Sequence, residues 1–205
     1  MLLKVHHENP SKRHIDLIKD CLGQGGVIVY PTDSVYAIGC DPTHQKAVQR
    51  LYQITGKNKK EAKLTLMCNN ISQVSEYTLP FDNGIFKSMK KVLPGPYTFI
   101  LNANKQVPKL FDEKRKTIGI RIPNNRIVHS IIEAIGRPLA TASLHDEDEI
   151  IGYTTDPDLI FDKLKNQVDI VIDGGIGDNR VSTIVDCTQD TLEVIREGKG
   201  DVNAL

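Results

Sequence analysis

Tryptophan is absent from this chain, and aromatic residues of all kinds make up only 5% of it. Surfaces that stack nucleobases are built on aromatic platforms, so the composition argues against a single-stranded nucleic-acid module. Excess charge is missing as well: 26 basic residues balance 26 acidic ones, and no bulk field steers the chain towards a polyanion. An anionic ligand must therefore meet a local cluster of cations. The four cysteines (Cys21, Cys40, Cys68, Cys187) stand far apart with no C-x-x-C pair, which argues against a zinc site or a disulfide framework. They read as small core residues in a reducing compartment. No apolar run approaches the length of a membrane span, and Met1–His7 is too short and polar for a secretion signal, so a cytoplasmic location with no membrane partner is expected.

Signatures of common catalytic classes are also lacking. Gly23-Gln24-Gly25-Gly26 follows a helical pattern and precedes a strand, the reverse of the order a phosphate-cradling loop needs. It reads as a helix-to-strand turn. No serine has the setting of a nucleophile elbow, and the six histidines lack metal-ligand spacing, so no metal site is expected. His129 reads as a core or surface residue within a helix.

The residues that are present interleave helical and strand patterns over a length suited to one domain of 205 residues. Asn9-Pro10 is expected to open a helix carrying Ile15, Ile18 and Leu22, and Asp41-Pro42-Thr43 to start a second with Val48, Leu51 and Tyr52. Further helices are expected near Asn83–Leu93, over Arg126–Ile135 up to Gly136, and from Asp156-Pro157 to about Asn166. Strands are expected at Val27–Tyr30, Leu64–Cys68, Tyr97–Leu101, Thr117–Ile122, Leu139–Ser143, Asp169–Ile172, Thr183–Asp186 and Leu192–Arg196, with fraying after Gly200. The pattern predicts an α/β or α+β domain around one twisted mixed sheet.

The most informative stretch is Gly25–Cys40. A β-branched run ends at Pro31, which has no N–H to continue a ladder, and Thr32, Asp33, Ser34 and Tyr36 follow at once. That places hydroxyls and a carboxylate at a strand mouth, where open sheets bind small ligands. Arg121 lies inside the apolar strand Ile118–Ile122, where a guanidinium is costly unless it meets a carboxylate or phosphate. Two readings stand: a structural pair with a buried acid, for which Asp33 is available, or a ligand site. Ser143, Ser182 and Arg196 also fall at strand ends and suggest a polar rim. Two basic clusters, Lys57, Lys59, Lys60 and Lys63, then Lys114, Arg115 and Lys116, flank the middle strands. Such runs are ordinarily solvated faces.

The segments GGVIVYPTDSVYAIGC, LPGPYTFIL, KTIGIRIP, PLATASL, DIVIDGG, STIVD and VIREGKGDV occur in the order of the YrdC/YciO family, which the chain resembles over nearly its whole length, nearest to the YciO type. The resemblance implies one YrdC/RibB-like domain over residues 1–205, with a basic concave face. It also implies a threonylcarbamoyl-AMP synthase-like nucleotidyltransferase that uses L-threonine, bicarbonate and ATP with Mg2+ in tRNA modification. By position it assigns Thr32, Ser34, Tyr36, Arg121, Ser143 and Ser182 to the amino-acid substrate. Lys57, Lys63, Thr117, Ser143 and Arg196 match the nucleotide side. The alternative within the family is a double-stranded RNA-, tRNA- or rRNA-binding protein without synthase activity, with Lys59, Lys60, Lys114, Arg115 and Lys116 on phosphates. The chain departs from the synthase pattern where Thr55-Gly56-Lys57-Asn58 stands for K-G-R-P, Ser143-Leu144-His145 for S-A-N, Met67 for a histidine and Ala37 for a glycine.

Overall fold

A computed structural model describes residues 1–56, 64–107, 111, 115–144 and 154–205. The described elements run β1 (Leu2–Lys4), α1 (Lys12–Gly23), β2 (Val27–Tyr30), β3 (Ala37–Cys40), α2 (Gln45–Ile54), β4 (Thr65–Met67), α3 (Ile71–Ser75), α4 (Asn83–Val92) and β5 (Tyr97–Asn102). They continue with β6 (Thr117–Arg121), α5 (Arg126–Ile135), β7 (Leu139–Ser143), α6 (Pro157–Leu164), β8 (Ile170–Asp173), β9 (Thr183–Asp186) and β10 (Glu193–Arg196). A 3-10 turn, Val202–Ala204, closes the chain. All ten strands form one mixed sheet, in the order β1-β8-β2-β3-β7-β4-β6-β5-β9-β10.

Local chemistry explains most boundaries. Asn125 caps α5 by accepting from the Val128 N–H at 3.2 Å, and Gly136 ends it at φ +69°, a left-handed conformation that favours glycine. Asp156 caps α6 with Pro157 in its first turn, as the sequence implies. α1 differs from expectation: Ser11, not Asn9, is the cap, and its hydroxyl accepts from the His14 N–H at 3.3 Å. α2 likewise starts at Gln45, because Asp41 uses its carboxylate on the N–H and hydroxyl of Thr43 in a turn. The tail after Gly200 is tied down: Thr183 Oγ1 donates to the Gly200 carbonyl at 2.6 Å and the Tyr97 hydroxyl to that of Asp201 at 3.0 Å.

The sheet separates two cores. One face carries Val27, Val29, Ile38, Leu66, Phe99, Leu101, Ile118, Ile120, Val171 and Val185, packed on α2, α4 and α6. The other carries Ile28, Tyr30, Ala37, Met67, Leu139, Ile170 and Ile172, packed on α1 and α5. This second cluster takes no residue from β5, β6 or β9. Register shows what occupies the same face there. Thr141 lies opposite Thr65, Thr65 opposite Gly119, and Gly119 opposite Ile100, so these residues share a face with Thr117, Arg121, Thr98 and Ser143. Apart from Ile100 and Ile184, small and polar side chains thus run across half the sheet where no helix of the described residues builds a core.

Candidate functional site

The loop Pro31–Tyr36 joins β2 to β3 in an antiparallel hairpin, Tyr30 opposite Ala37. Both strands are buried throughout, so β3 carries no alternation by which a sequence could announce it. Within the loop Thr32 makes a local turn: its hydroxyl accepts from the Ser34 N–H at 3.0 Å and donates to the Val35 carbonyl at 2.7 Å. That turn points Ser34, fully buried, at Arg121.

Arg121, at the end of β6, is the centre of the site. Its Nη2 donates to Asp33 Oδ1 at 2.5 Å, Ser34 Oγ at 2.8 Å and Thr32 Oγ1 at 3.2 Å. The Arg121 side chain is 4% exposed and that of Asp33 11%, so the ion pair is almost fully desolvated. Asp33 Oδ2 also accepts from the Asn124 N–H at 2.9 Å. The structural-pair reading of Arg121 is therefore correct as far as Nη2 goes. It does not account for Nε, which is buried and has no hydrogen-bond partner. An orphaned donor of this kind on a charged group carries a penalty of about 1–3 kcal/mol or more unless something accepts from it.

Thr32, Asp33 and Ser34 also form one wall of a cleft of about 510 Å³, completed by Thr155, the loop Ile176–Asn179 and Lys199. Lys199 Nζ donates to the Asp33 carbonyl and to Asp178 Oδ2, both at 2.7 Å. Lys199 beside it, with the Arg180 N–H, holds the Asp178 carboxyl below its ordinary value of 3.8. Lys199 in the cleft wall and Arg121 behind it thus face Asp178 and Asp33. A depressed carboxyl adds stability that is complete above its ordinary pKa and is lost as pH falls through the lower folded value. The stability of the parent protein should therefore drop more between pH 5 and pH 3 than that of Asp178→Asn, as read from urea midpoints at the two pH values. Equal drops would show that the tether adds nothing.

The register divides the expected site residues into two groups on one face. Thr98 follows the same level as Arg121, and its hydroxyl meets Ser182 Oγ at 2.9 Å. Arg196 donates to the Ser182 carbonyl through Nη2 at 3.0 Å and Nε at 3.3 Å, which places it with the Arg121 group. Thr117 and Ser143 are exposed and lie at the opposite strand ends, about 13 Å from Arg121 along β6 at strand rise. Ser143 is thus on the Thr117 side and not beside Arg121. Tyr36 is not at the cleft surface either. It is fully buried, its hydroxyl donates to the Gly175 carbonyl at 2.7 Å, and burial pushes its pKa up to about 12. Its work is to hold the loop that forms the far wall.

Arg115, expected on phosphates, turns inward as well. Its guanidinium donates to the Leu64 carbonyl at 3.0 Å and the Tyr52 hydroxyl at 2.8 Å, and stacks 4.7 Å over Phe111. Lys116 is exposed. Lys57, Lys59, Lys60, Lys63, Lys114 and His145 lie outside the described residues. His129 bridges the Asn69 side chain and the Pro123 carbonyl, the latter at 2.6 Å, tying the segments after β4 and β6 together behind Arg121. Cys40 and Cys187 are buried thiols whose pKa burial raises to about 12, so neither offers a thiolate at neutral pH. Among the described residues no three His, Cys, Asp or Glu side chains gather to hold a metal, and no helix is long and apolar enough to cross a membrane.

Sequence reasoning missed Lys199, Asp178 and Thr155. The signal available was the glycine run Gly174-Gly175 directly after the β-branched strand β8, which marks a second strand mouth beside that of β2.

The fold is a mixed α/β domain in which no described helix covers the β5, β6 and β9 part of one sheet face, with a desolvated arginine at the strand tips. A family model described as "Telomere recombination" and named for Sua5, YciO and YrdC matches residues 20–198. The chain belongs to this Sua5/YciO/YrdC family. It is 43% identical over 203 residues to YciO of Escherichia coli strain K12, covering 97% of this chain and 95% of that one. It is 31% identical over 162 residues to a threonylcarbamoyl-AMP synthase of Coxiella burnetii strain RSA 493, covering 79% and 85%. The crystal structure of E. coli YciO superposes with a TM-score of 0.90 at 42% identity, over 100% of this chain and 98% of that one. P. abyssi Sua5 complexed with L-threonine superposes at 0.84 over 97% of this chain and 57% of that one, and at 23% identity it shows the fold alone.

Proposed function

We propose that the chain forms threonylcarbamoyl-AMP from L-threonine, bicarbonate and ATP, as a nucleotidyltransferase of the synthase type. The observation that carries this reading is the buried, unpartnered Nε of Arg121 among the Thr32 and Ser34 hydroxyls. A carboxylate oxygen is a strong acceptor for that Nε–H, with the Thr32 and Ser34 hydroxyls beside it. The L-threonine complex of P. abyssi Sua5 and the synthase of C. burnetii supply the chemical class of the ligand.

The chemistry follows from charge. The amine of the amino acid attacks bicarbonate, water leaves, and a carbamate oxygen then attacks the α-phosphate of ATP, releasing pyrophosphate. Bicarbonate, the carbamate and the triphosphate are all anionic, so rate comes from holding them together against repulsion. Arg121, Thr32, Ser34 and Ser182 orient the amino acid; Thr117 and Ser143 serve the nucleotide, with Lys57 and Lys63 as the phosphate contacts, while Arg196, held on the Ser182 carbonyl, meets the nucleotide from the amino-acid side. Magnesium enters with ATP as part of that substrate, on its phosphate oxygens.

Incubation of the purified protein with ATP, Mg2+, bicarbonate and L-threonine should release pyrophosphate only when both threonine and bicarbonate are present. Mass spectrometry should find the threonylcarbamoyl adenylate. A folded protein that releases none, beside an active C. burnetii synthase control, overturns the reading.

A further inference from the structure

Four charges alternate around the cleft: Asp178 meets Lys199, Lys199 meets the Asp33 backbone, and the Asp33 carboxylate meets Arg121. Lys199 reaches Asp33 from the segment after β10, far from Arg121 in sequence. Its backbone is fixed there, since its N–H donates to the Val181 carbonyl at 2.8 Å and the Gly198 N–H to Thr183 Oγ1 at 2.9 Å. Gly198 permits this close approach: a Cβ at that position would lie 2.3 Å from the Val181 carbonyl oxygen. The ammonium is therefore aimed, not merely present. The side chain is 37% exposed and Asp178 29%, so an ordinary solvated pair would suffice if surface charge were its only purpose. The contact with the Asp33 carbonyl is what sets it apart, because Asp33 turns the loop that delivers Thr32 and Ser34 to Arg121.

We infer that Lys199 is a positioning residue: through Asp33 it sets the orientation of the Arg121 guanidinium and so the affinity of the site for an amino-acid carboxylate. The inference rests on the proposed function for its ligand, but not for its geometry. With Lys199 removed, the Asp33 carbonyl loses its cation and the loop can turn. The Asp33 carboxylate then swings with it, and Nη2 and Nε of Arg121 follow. On the nucleotide side, Thr117 lies about 13 Å from Arg121 along β6 and Ser143 is held to Ala37 by the β3–β7 ladder, so neither depends on the Lys199 contact.

The test uses Lys199→Met, which keeps length and removes charge, and Lys199→Arg, which restores it. The Arg121 Nε–H resonance in 15N-resolved NMR reports the guanidinium directly, and calorimetric titrations with L-threonine and with MgATP report the two ligand sides. In Lys199→Met the Nε–H should exchange with water at least about fivefold faster, and L-threonine should bind about tenfold more weakly. MgATP affinity should hold, and Lys199→Arg should return both readouts to within about twofold of the parent. A purely structural role would shift the two ligands alike and leave the arginine unrescued. An unchanged Nε–H exchange rate in folded Lys199→Met overturns the inference. If the Nε–H responds while even the parent protein takes up no L-threonine, the proposed function falls and the positioning role stands.

Discussion

Replacing Arg121 by alanine is expected to lower the stability of the fold by about 3–5 kcal/mol, and to abolish carboxylate binding as a separate consequence. The stability loss arises at Asp33. Its side chain is 11% exposed and its carboxylate is held by Arg121 Nη2 and the Asn124 N–H. Without the guanidinium, a buried carboxylate keeps one neutral donor and no counterion, and Ser34 loses its only strong donor. In a domain of this size the loss corresponds to about 6–20 °C in Tm. The double variant Arg121→Ala/Asp33→Ala removes both charges and should recover most of that loss, since each single variant leaves the other charge stranded. Arg121→Lys should keep much of the stability through a Lys–Asp33 pair, yet still fail to bind the amino acid, because an ammonium cannot present a planar fork. Thermal melts of the four proteins beside L-threonine titrations separate the two roles. A fully stable Arg121→Ala would mean that the Asp33 pair contributes nothing.

The sequence made the arginine visible, but not its state. A guanidinium in an apolar strand had to be paired, and Asp33 was the available partner; both follow from solvation cost alone. That pairing and ligand binding could be shared between different nitrogens of one side chain is a matter of ångströms, which residue spacing does not carry. Helix positions were legible wherever a cap and an apolar stripe agreed, as in Arg126–Ile135, where Asn125 and Gly136 mark both ends. At α1 the Asn9-Pro10 pair pointed to a start two residues early, and the structure caps the helix at Ser11. β3 was illegible because Ala37–Cys40 is buried on both faces and periodicity vanishes when there is no solvent side. The far wall of the cleft was illegible for another reason. Lys199 meets both Asp33 and Asp178 only because β8 and β9 lie on either side of the site in a strand order that no local pattern encodes.

Gly119→Leu is expected to weaken ligand binding by a factor of about 100 or more while changing stability by no more than about 1 kcal/mol. Gly119 sits in the middle of β6, opposite Thr65 on one side and Ile100 on the other, on the face that neither helical layer builds into a core. A Cβ there would lie 2.8 Å from Thr65 Oγ1, a side chain that can rotate away, and no backbone atom is among its near neighbours. Strand glycine is itself unfavourable by about 0.5–1 kcal/mol, so its replacement offsets much of the strain. The leucine side chain then stands on the open face midway between Arg121 and Thr117, across the line along which a carbamate would have to reach an α-phosphate. Ile118, one position back on the opposite face and 1% exposed, provides the contrast. Ile118→Ala should cost about 2–5 kcal/mol through its cavity, with the ligand face left open. If Gly119→Leu instead binds L-threonine and MgATP as the parent does, the two ligands do not meet across this face. Arg121 would then serve a ligand that approaches only through the cleft beside Lys199, and the adenylation chemistry would lose its floor.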